Sequence, residues 1–295
     1  MSRQKAVNER SPSKAPGKKS SRPKLGQNFL ADKSSAARIV DALGDISSSV
    51  VLEIGPGRGV LTETLAQRAR RLIAVEIDRL LAVQLRVKYG TRENVEIVEG
   101  DFLAIDLNTL LGPKIGTMAD RQHLDLAHVK VIGNLPYYIT SDILLRLFSY
   151  HHLLDSIVIM VQREVGDRIA AKPGTRDYGL LSVTAQFYTD VENLFTLPPG
   201  AFAPPPKVHS TVLRMKVAPK AGQLGVETIP FISFLKLNFG QKRKTLLNNL
   251  KQRYPEAAAK AAIKAAGIRP DIRAENLSLR QFAEIFHTLK EEVFL

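Results

Sequence analysis

The chain has 295 residues, 44% of them hydrophobic and 24% charged, which allows one large domain plus a smaller one and excludes fibrous and membrane-spanning classes. Lys and Arg number 42 against 29 Asp and Glu, and the resulting net charge of +13 attracts polyanions, so nucleic acid or another anionic surface is the expected partner. With no Cys, disulfides, thiolate metal sites and a cysteine nucleophile are excluded, and the composition suits a reducing compartment such as the cytoplasm.

Residues 1–24 carry eight basic side chains (Arg3, Lys5, Arg10, Lys14, Lys18, Lys19, Arg22 and Lys24) and one acid, Glu9, among Ser and Pro. Such a stretch buries too little apolar surface to fold alone, so a disordered, RNA-contacting tail is expected. It has no apolar run of the kind a secretory signal needs; its composition overlaps with organellar transit peptides, but no apolar face can be drawn. Leu25-Gly26-Gln27-Asn28-Phe29-Leu30 follows and is too polar at its centre for a strand, so by itself it is an N-terminal anchor packed by Leu25, Phe29 and Leu30.

From Val50 short apolar runs alternate with helical stretches, the signature of a parallel sheet covered by helices. Strands are predicted at 50–54, 71–77, 95–99, 129–133 and 156–161, with helices over 59–69, from 77 to about 89, and from about 141. Residues 112–128 form a polar loop. Two last strands, near 190–196 and 210–217, are separated only by a Pro-rich turn, which permits antiparallel pairing and leaves no room for a crossover helix. After Val217 the composition turns Ala-, Leu- and Lys-rich with helical periodicity, so residues 218–295 are read as a small all-helical domain. Neighbouring His151 and His152 diverge on any regular element and are expected to be solvated imidazoles without metal-ligand spacing.

Glu53-Ile54-Gly55-Pro56-Gly57-Arg58-Gly59 joins the first of these strands to its helix, where glycines let a ligand approach the backbone. Glu76 closes the next strand, where an acid can accept from both ribose hydroxyls of a nucleoside. Asp101, in Gly100-Asp101-Phe102, can accept from an adenine amino group while Phe102 covers the ring. Each acid alone is an ordinary strand end; the glycine turn and both acids on one sheet edge point to a nucleoside cofactor. A dinucleotide stays open, although G-P-G-R-G is not the G-x-G-x-x-G of a pyrophosphate site.

Asn134-Leu135-Pro136-Tyr137 ends the fourth strand and carries the most chemistry. An adenine amine is a poor nucleophile because its lone pair is delocalised. Acceptors that hold both amine hydrogens, the Asn134 amide oxygen and a main-chain carbonyl near Leu135, favour a pyramidal nitrogen. Pro136 stiffens the turn, and Tyr137 offers a stacking face for an extruded base. The plainer alternative is a strand-end turn with a core tyrosine.

Taken together these segments resemble the KsgA family of ribosomal RNA adenine dimethyltransferases over nearly the whole chain from Leu25. Besides the segments above, the resemblance rests on Val75-Glu76-Ile77-Asp78, Val161-Gln162-Arg163-Glu164-Val165, Phe202-Ala203-Pro204-Pro205-Pro206-Lys207-Val208 and Phe239-Gly240-Gln241-Lys242-Arg243-Lys244. It implies an α/β fold, a Rossmann-like class I methyltransferase sheet over 25–217, mostly parallel with an antiparallel strand at one edge, plus the helical domain over 218–295. It implies S-adenosylmethionine as cofactor, held by Asn28, Leu30, Gly55, Glu76, Asp101 and Phe102 with Asn134 between cofactor and target. Phe202 would close on the base opposite Tyr137, or else plug the core beside the prolines. The implied substrate is a pair of adjacent adenosines in a hairpin near the 3′ end of small-subunit rRNA, dimethylated within an assembling 30S-type subunit by a monomer. The long tail and the 112–128 loop depart from the family pattern without touching a motif.

Between Lys236 and Arg253 lie six basic residues (Lys236, Lys242, Arg243, Lys244, Lys251 and Arg253) and no acid, the expected phosphate-contacting surface. A solvated helix face is its plainer reading. Arg163, Lys172, Arg176 and Lys207 could extend a basic rim around the pocket. Three other functions share parts of this pattern: methylation of large-subunit RNA by the related erythromycin-resistance type, an NAD-dependent oxidoreductase using the glycine turn and Glu76, and a non-catalytic assembly factor. The oxidoreductase leaves Asn134 to Tyr137 and the net charge unexplained.

Overall fold

The computed structural model describes residues 28–111, 129–136 and 138–293. The N-terminal tail, the 112–128 loop and Tyr137 therefore lie outside the described residues. The short strand β1 (Phe29–Leu30) leads into helix α1 (Lys33–Asp41), and strands and helices then alternate: β2 (Val50–Ile54), α2 (Val60–Arg68), β3 (Arg71–Glu76), α3 (Arg79–Tyr89), β4 (Val95–Glu99) and α4 (Leu107–Leu111). The second half of the sheet is built from β5 (Val129–Asn134), α5 (Thr140–Ser149), β6 (Leu154–Gln162), α6 (Arg163–Ala170), α7 (Leu180–Tyr188), β7 (Thr189–Leu197), β8 (Phe202–Ala203) and β9 (Ser210–Val217). Helices α8 (Ala221–Leu224), α9 (Thr228–Phe239), α10 (Leu246–Leu250), α11 (Glu256–Ala265) and α12 (Leu279–Val293) complete the chain.

Seven strands form one sheet in the order β4-β3-β2-β5-β6-β9-β7. The first five are mutually parallel, and β9 runs antiparallel to both β6 and β7, which closes that edge of the sheet. Every residue of β2 is buried because helices cover both faces, so the strand reads as a continuous apolar run interrupted by one acid, Glu53. The pleat sends Val51 into a core with α1, α2 and α3, and Leu52 and Ile54 into a larger core on the opposite face. Acids cap α1, α3 and α4: Asp32 accepts from the Ser34 and Ser35 N–H groups, Asp78 from those of Leu80 and Leu81, and Asp106 from those of Asn108 and Thr109.

The helices after β9 share the larger core with the sheet. Phe231 of α9 lies 5.4 Å from Phe187 of α7, ring centre to ring centre, and Phe239 lies 6.1 Å from Tyr178. Among the described residues no helix is long and apolar enough to cross a membrane.

Three local expectations are corrected. Phe29 and Leu30 do form a strand, antiparallel to Ala203 and Phe202, because a two-residue ladder needs no alternating run. His151 is half-buried against the Tyr188 ring, at 5.1 Å, with its Nδ1 2.9 Å from the Phe148 carbonyl, so of the two neighbours His152 alone is exposed. Helices α6 and α7 fall where the sequence suggested no element. In α7, Ser182 to Ala185, Phe187 and Tyr188 are all buried, so it lacks the one-sided stripe by which a surface helix is recognised.

Candidate active site

The loops after β2 and β5 leave neighbouring strands whose connections run to opposite sides of the sheet, the position where open α/β sheets form their ligand crevice. A cavity of about 160 Å³ lies there, walled by Asn28 to Leu30, the Gly55–Arg58 turn, Glu53, Glu76, Ile77 and the Asn134–Pro136 turn, with Tyr138 at its edge. Gly133 is required by the close passage of the two strands, because a Cβ there would stand 2.7 Å from the Ile54 carbonyl oxygen. Gly57 has φ +58°, and a Cβ on it would meet the Phe29 ring at 2.9 Å.

Glu76 is 1% exposed, and its carboxylate is already oriented: Oε2 accepts from the Gly57 N–H and Oε1 from the Asp78 N–H, both at 2.9 Å. The glycine turn is thereby tied to the end of β3, and the carboxylate keeps lone pairs for a ligand's hydroxyls. Glu53 is equally buried and accepts from the Thr62 hydroxyl at 2.7 Å. Burial, reinforced by the neighbouring charge of Glu76 and opposed by the Thr62 hydrogen bond, pushes the Glu53 carboxyl up to about 8. The cavity thus holds one carboxylate fixed by backbone donors and one carboxyl that keeps its proton at neutral pH.

Asn134 is half-buried, and its Nδ2 donates to the Asn28 carbonyl at 3.1 Å. That bond leaves Oδ1 as the amide's open acceptor. The turn after it is fixed on both sides: the Leu135 N–H donates to the Met160 carbonyl at 3.1 Å, and the Thr140 hydroxyl donates to the Pro136 carbonyl at 3.0 Å. Among the described residues the Leu135 carbonyl accepts no hydrogen bond, so two acceptors of adjacent residues stand open at this turn. The Asn28 segment is itself clipped in place, since the Ala31 and Asp32 N–H groups donate to the Ala201 carbonyl at 2.8 and 3.2 Å.

Of the residues expected from sequence, Asn28, Leu30, Gly55, Glu76, Asn134 and Leu135 line this cavity together. Asp101, Phe102 and Phe202 are not part of its wall. Asp101 is exposed and accepts from the Leu103 N–H at 2.9 Å; Phe102 is buried in the larger core and Phe202, 4% exposed, in the smaller one. Phe202 thus occupies the core-plug position in this structure. The six basic residues between Lys236 and Arg253 are all exposed; among them Lys251 pairs with Glu256 at 2.6 Å. Sequence reasoning gave no role to Glu53, Arg58, Ile77 or Tyr138. For Glu53 the signal was present, an acid inside a wholly apolar strand; for Arg58, whose guanidinium sits 4.7 Å from the centre of the Phe29 ring, nothing local announced the contact.

The family description "ribosomal RNA adenine dimethylase" matches residues 18–291. The chain belongs to the ribosomal RNA adenine dimethylase family. Among dimethylase relatives, the ribosomal RNA small subunit methyltransferase A of Koribacter versatilis is 59% identical over 94% of this chain and 99% of its own length. That of Acidobacterium capsulatum is 49% identical over 92% of each. Of solved structures, a dimethyladenosine transferase from Plasmodium falciparum has the same fold (TM-score 0.72, 23% identity, 90% of this chain and 98% of that one). The 23S rRNA methyltransferase ErmE follows at TM-score 0.63 and 26% identity, over 89% of this chain and all of that one. The mostly parallel methyltransferase sheet expected for a dimethylase is thus present, with its antiparallel closing edge.

Proposed function

We propose that this chain transfers methyl groups to the N6 amine of two adjacent adenosines in a hairpin near the 3′ end of small-subunit rRNA, using S-adenosylmethionine. The observation that carries the reading is the Asn134 turn. Its Nδ2 is committed to Asn28, which leaves Oδ1 and the neighbouring Leu135 carbonyl as acceptors on two residues that line the same cavity as Glu76. None of the relatives and solved structures named above is an NAD-dependent oxidoreductase, and for the large-subunit alternative the likeness is that to the 23S rRNA methyltransferase ErmE, at 26% identity.

The donor set fits the cofactor. A carboxylate with two backbone N–H groups behind it suits the ribose hydroxyls, while Ile77 and Leu61 supply apolar walls for a purine. S-adenosylmethionine supplies an electrophilic methyl on a sulfonium, a good leaving group. The chain's own part is to hold the amine. Asn134 Oδ1 and the Leu135 carbonyl each take one amine hydrogen, which localises the nitrogen lone pair along one direction. No strong base is needed, because the alkylated nitrogen is acidic enough to lose a proton to water. Tyr137 supplies the stacking face for the flipped base. Asp101 and Phe102, which follow β4 and lie outside the cavity wall described above, are assigned to the cofactor's adenine, and Phe202 to a structural plug.

In this reading residues 25–217 are the catalytic unit and 218–295 the RNA-holding unit, acting as a cytoplasmic monomer on an assembling 30S-type subunit. Incubation with labelled S-adenosylmethionine and immature small subunits should place label in adenine, and no label there would overturn the reading. Asn134→Ala should abolish transfer while RNA affinity is kept; loss of both would make Asn134 a structural residue. Large-subunit RNA offered in parallel separates the two RNA specificities.

A further inference from the structure

A second cavity, about 310 Å³, lies at the same sheet edge and is lined by Gln162, Arg163, Glu164, Lys207, Val208 and His209. We propose that it seats the phosphodiester joining the target adenosine to its neighbour in the strand, so that one nucleotide is held while the next is methylated. The inference rests on the adenosine methylation proposed above and deepens it, turning a general basic rim into one defined subsite.

Placement is the first argument. In the ladder between β5 and β6, Asn134 stands opposite Met160, and Gln162 lies two residues further along β6. With a rise of about 3.3 Å per residue and about 4.8 Å between strands, Gln162 is about 8 Å from Asn134, which one extended nucleotide spans. One segment also connects the two cavities: Ala203 and Phe202 pair with Phe29 and Leu30, which line the first, and the Pro-rich turn that follows delivers Lys207 and His209 to the second. The Arg163 N–H donates to the His209 carbonyl at 3.0 Å, so the start of α6 and the end of this turn are locked together.

Chemistry is the second. Among the described residues the Lys207 ammonium has no ion pair, and the side chains of Gln162 and His209 make no hydrogen bond, although Gln162 is half-buried. The acids nearby are occupied: Glu164 pairs with Arg168 at 3.1 Å, and Asp167 stands 3.7 Å from Arg163. A carboxamide, an ammonium, a guanidinium and an imidazole around one hollow are donors for phosphate oxygens, and Val208, 43% exposed, gives an apolar contact for a sugar or base. An apolar peptide would leave these donors unpaired, and a protein partner would have to supply its own anion at this point.

The test uses the full chain, S-adenosylmethionine and a hairpin with two adjacent adenosines. A neutral methylphosphonate, with the adjacent 2′-hydroxyl methylated, replaces in turn each linkage flanking the target adenosine; the 2′-O-methyl hairpin alone is the control. One of the two replacements should raise KM about tenfold for the unaltered chain, as loss of a charge-assisted contact does. In Arg163→Gln with Lys207→Gln, KM for the unmodified hairpin should rise by a similar factor, kcat should stay within about twofold, and the methylphosphonate should add nothing further. If neither linkage matters, or the double variant keeps the full sensitivity, the subsite is refuted. Absence of any methyl transfer by the unaltered chain would instead refute the proposed function.

Discussion

Replacing Glu53 with Gln should stabilise the protein increasingly as pH rises from about 5 to 8. In the unfolded chain this carboxyl titrates near its ordinary 4.5, whereas burial in β2 raises it to about 8 in the fold. Between these values the folded state keeps a proton that the unfolded state has lost, so stability falls with rising pH across that window and levels off above it. The full difference corresponds to about 5 kcal/mol at 1.36 kcal/mol per pH unit, and the part developed by pH 7 to about 3 kcal/mol, as an order of magnitude. Gln keeps an acceptor for the Thr62 hydroxyl, 2.7 Å away, and removes the ionisation. At roughly 2 °C per kcal/mol for a chain of this size, the Tm of the variant should exceed that of the unaltered chain by about 6 °C at pH 7 and by little at pH 5. Differential scanning calorimetry of both proteins across this range measures the difference directly, because other titrating groups cancel. Parallel Tm profiles would show that Glu53 titrates normally and that its burial is relieved in solution.

Gly133→Ala should lower stability by about 1–3 kcal/mol, because the new methyl is set against the Ile54 backbone, which has no side chain to move aside; urea unfolding would measure it. Leu30→Ala should detach the clasp between β1 and β8 rather than unfold the protein. Amide exchange at Ala31 and Asp32 should then accelerate, and kcat fall as Asn134 loses its Asn28 partner, with only a small change in global Tm. Neutralising Lys242, Arg243 or Lys244 should each reduce the slope of log KM for RNA against log salt by about 0.7–0.9. Lys251→Ala should reduce it less, because Lys251 is paired with Glu256, whose carboxyl it and Lys260 hold down to about 2.

Much of the sheet was legible because each strand carries its own local signal: β2 and β4 lie at the residues the apolar runs mark, and β3 and β5 differ by one. Glu76 and the Asn134 turn were legible for the same reason, since strand ends in a parallel sheet converge on one edge whatever the helices do, whereas Asp101 follows β4 without entering the cavity wall. What stayed hidden depends on partners far away in the chain. The two-residue β1 exists only because β8 is there to pair with it, and α7 is buried over most of its surface, Ser182 and Thr184 included, because it packs in the larger core with the sheet and α9. Glu53 shows the same limit within a recognised motif: its residue type was plain, but its raised affinity for a proton follows from burial beside Glu76, which only the assembled sheet creates.

The clasp of Leu30 on Phe202 also sets a timetable for synthesis. The two residues are 172 positions apart, so at about 5–20 residues per second the first wall of the crevice waits roughly 9–34 s for the strand that locks it. A nascent chain has its Asn28 segment, glycine turn and acids early but not the strand that holds Asn28 beside the asparagine amide. Truncated products would therefore be inert towards RNA, and the enzyme would be born inactive until translation of its sheet is nearly finished.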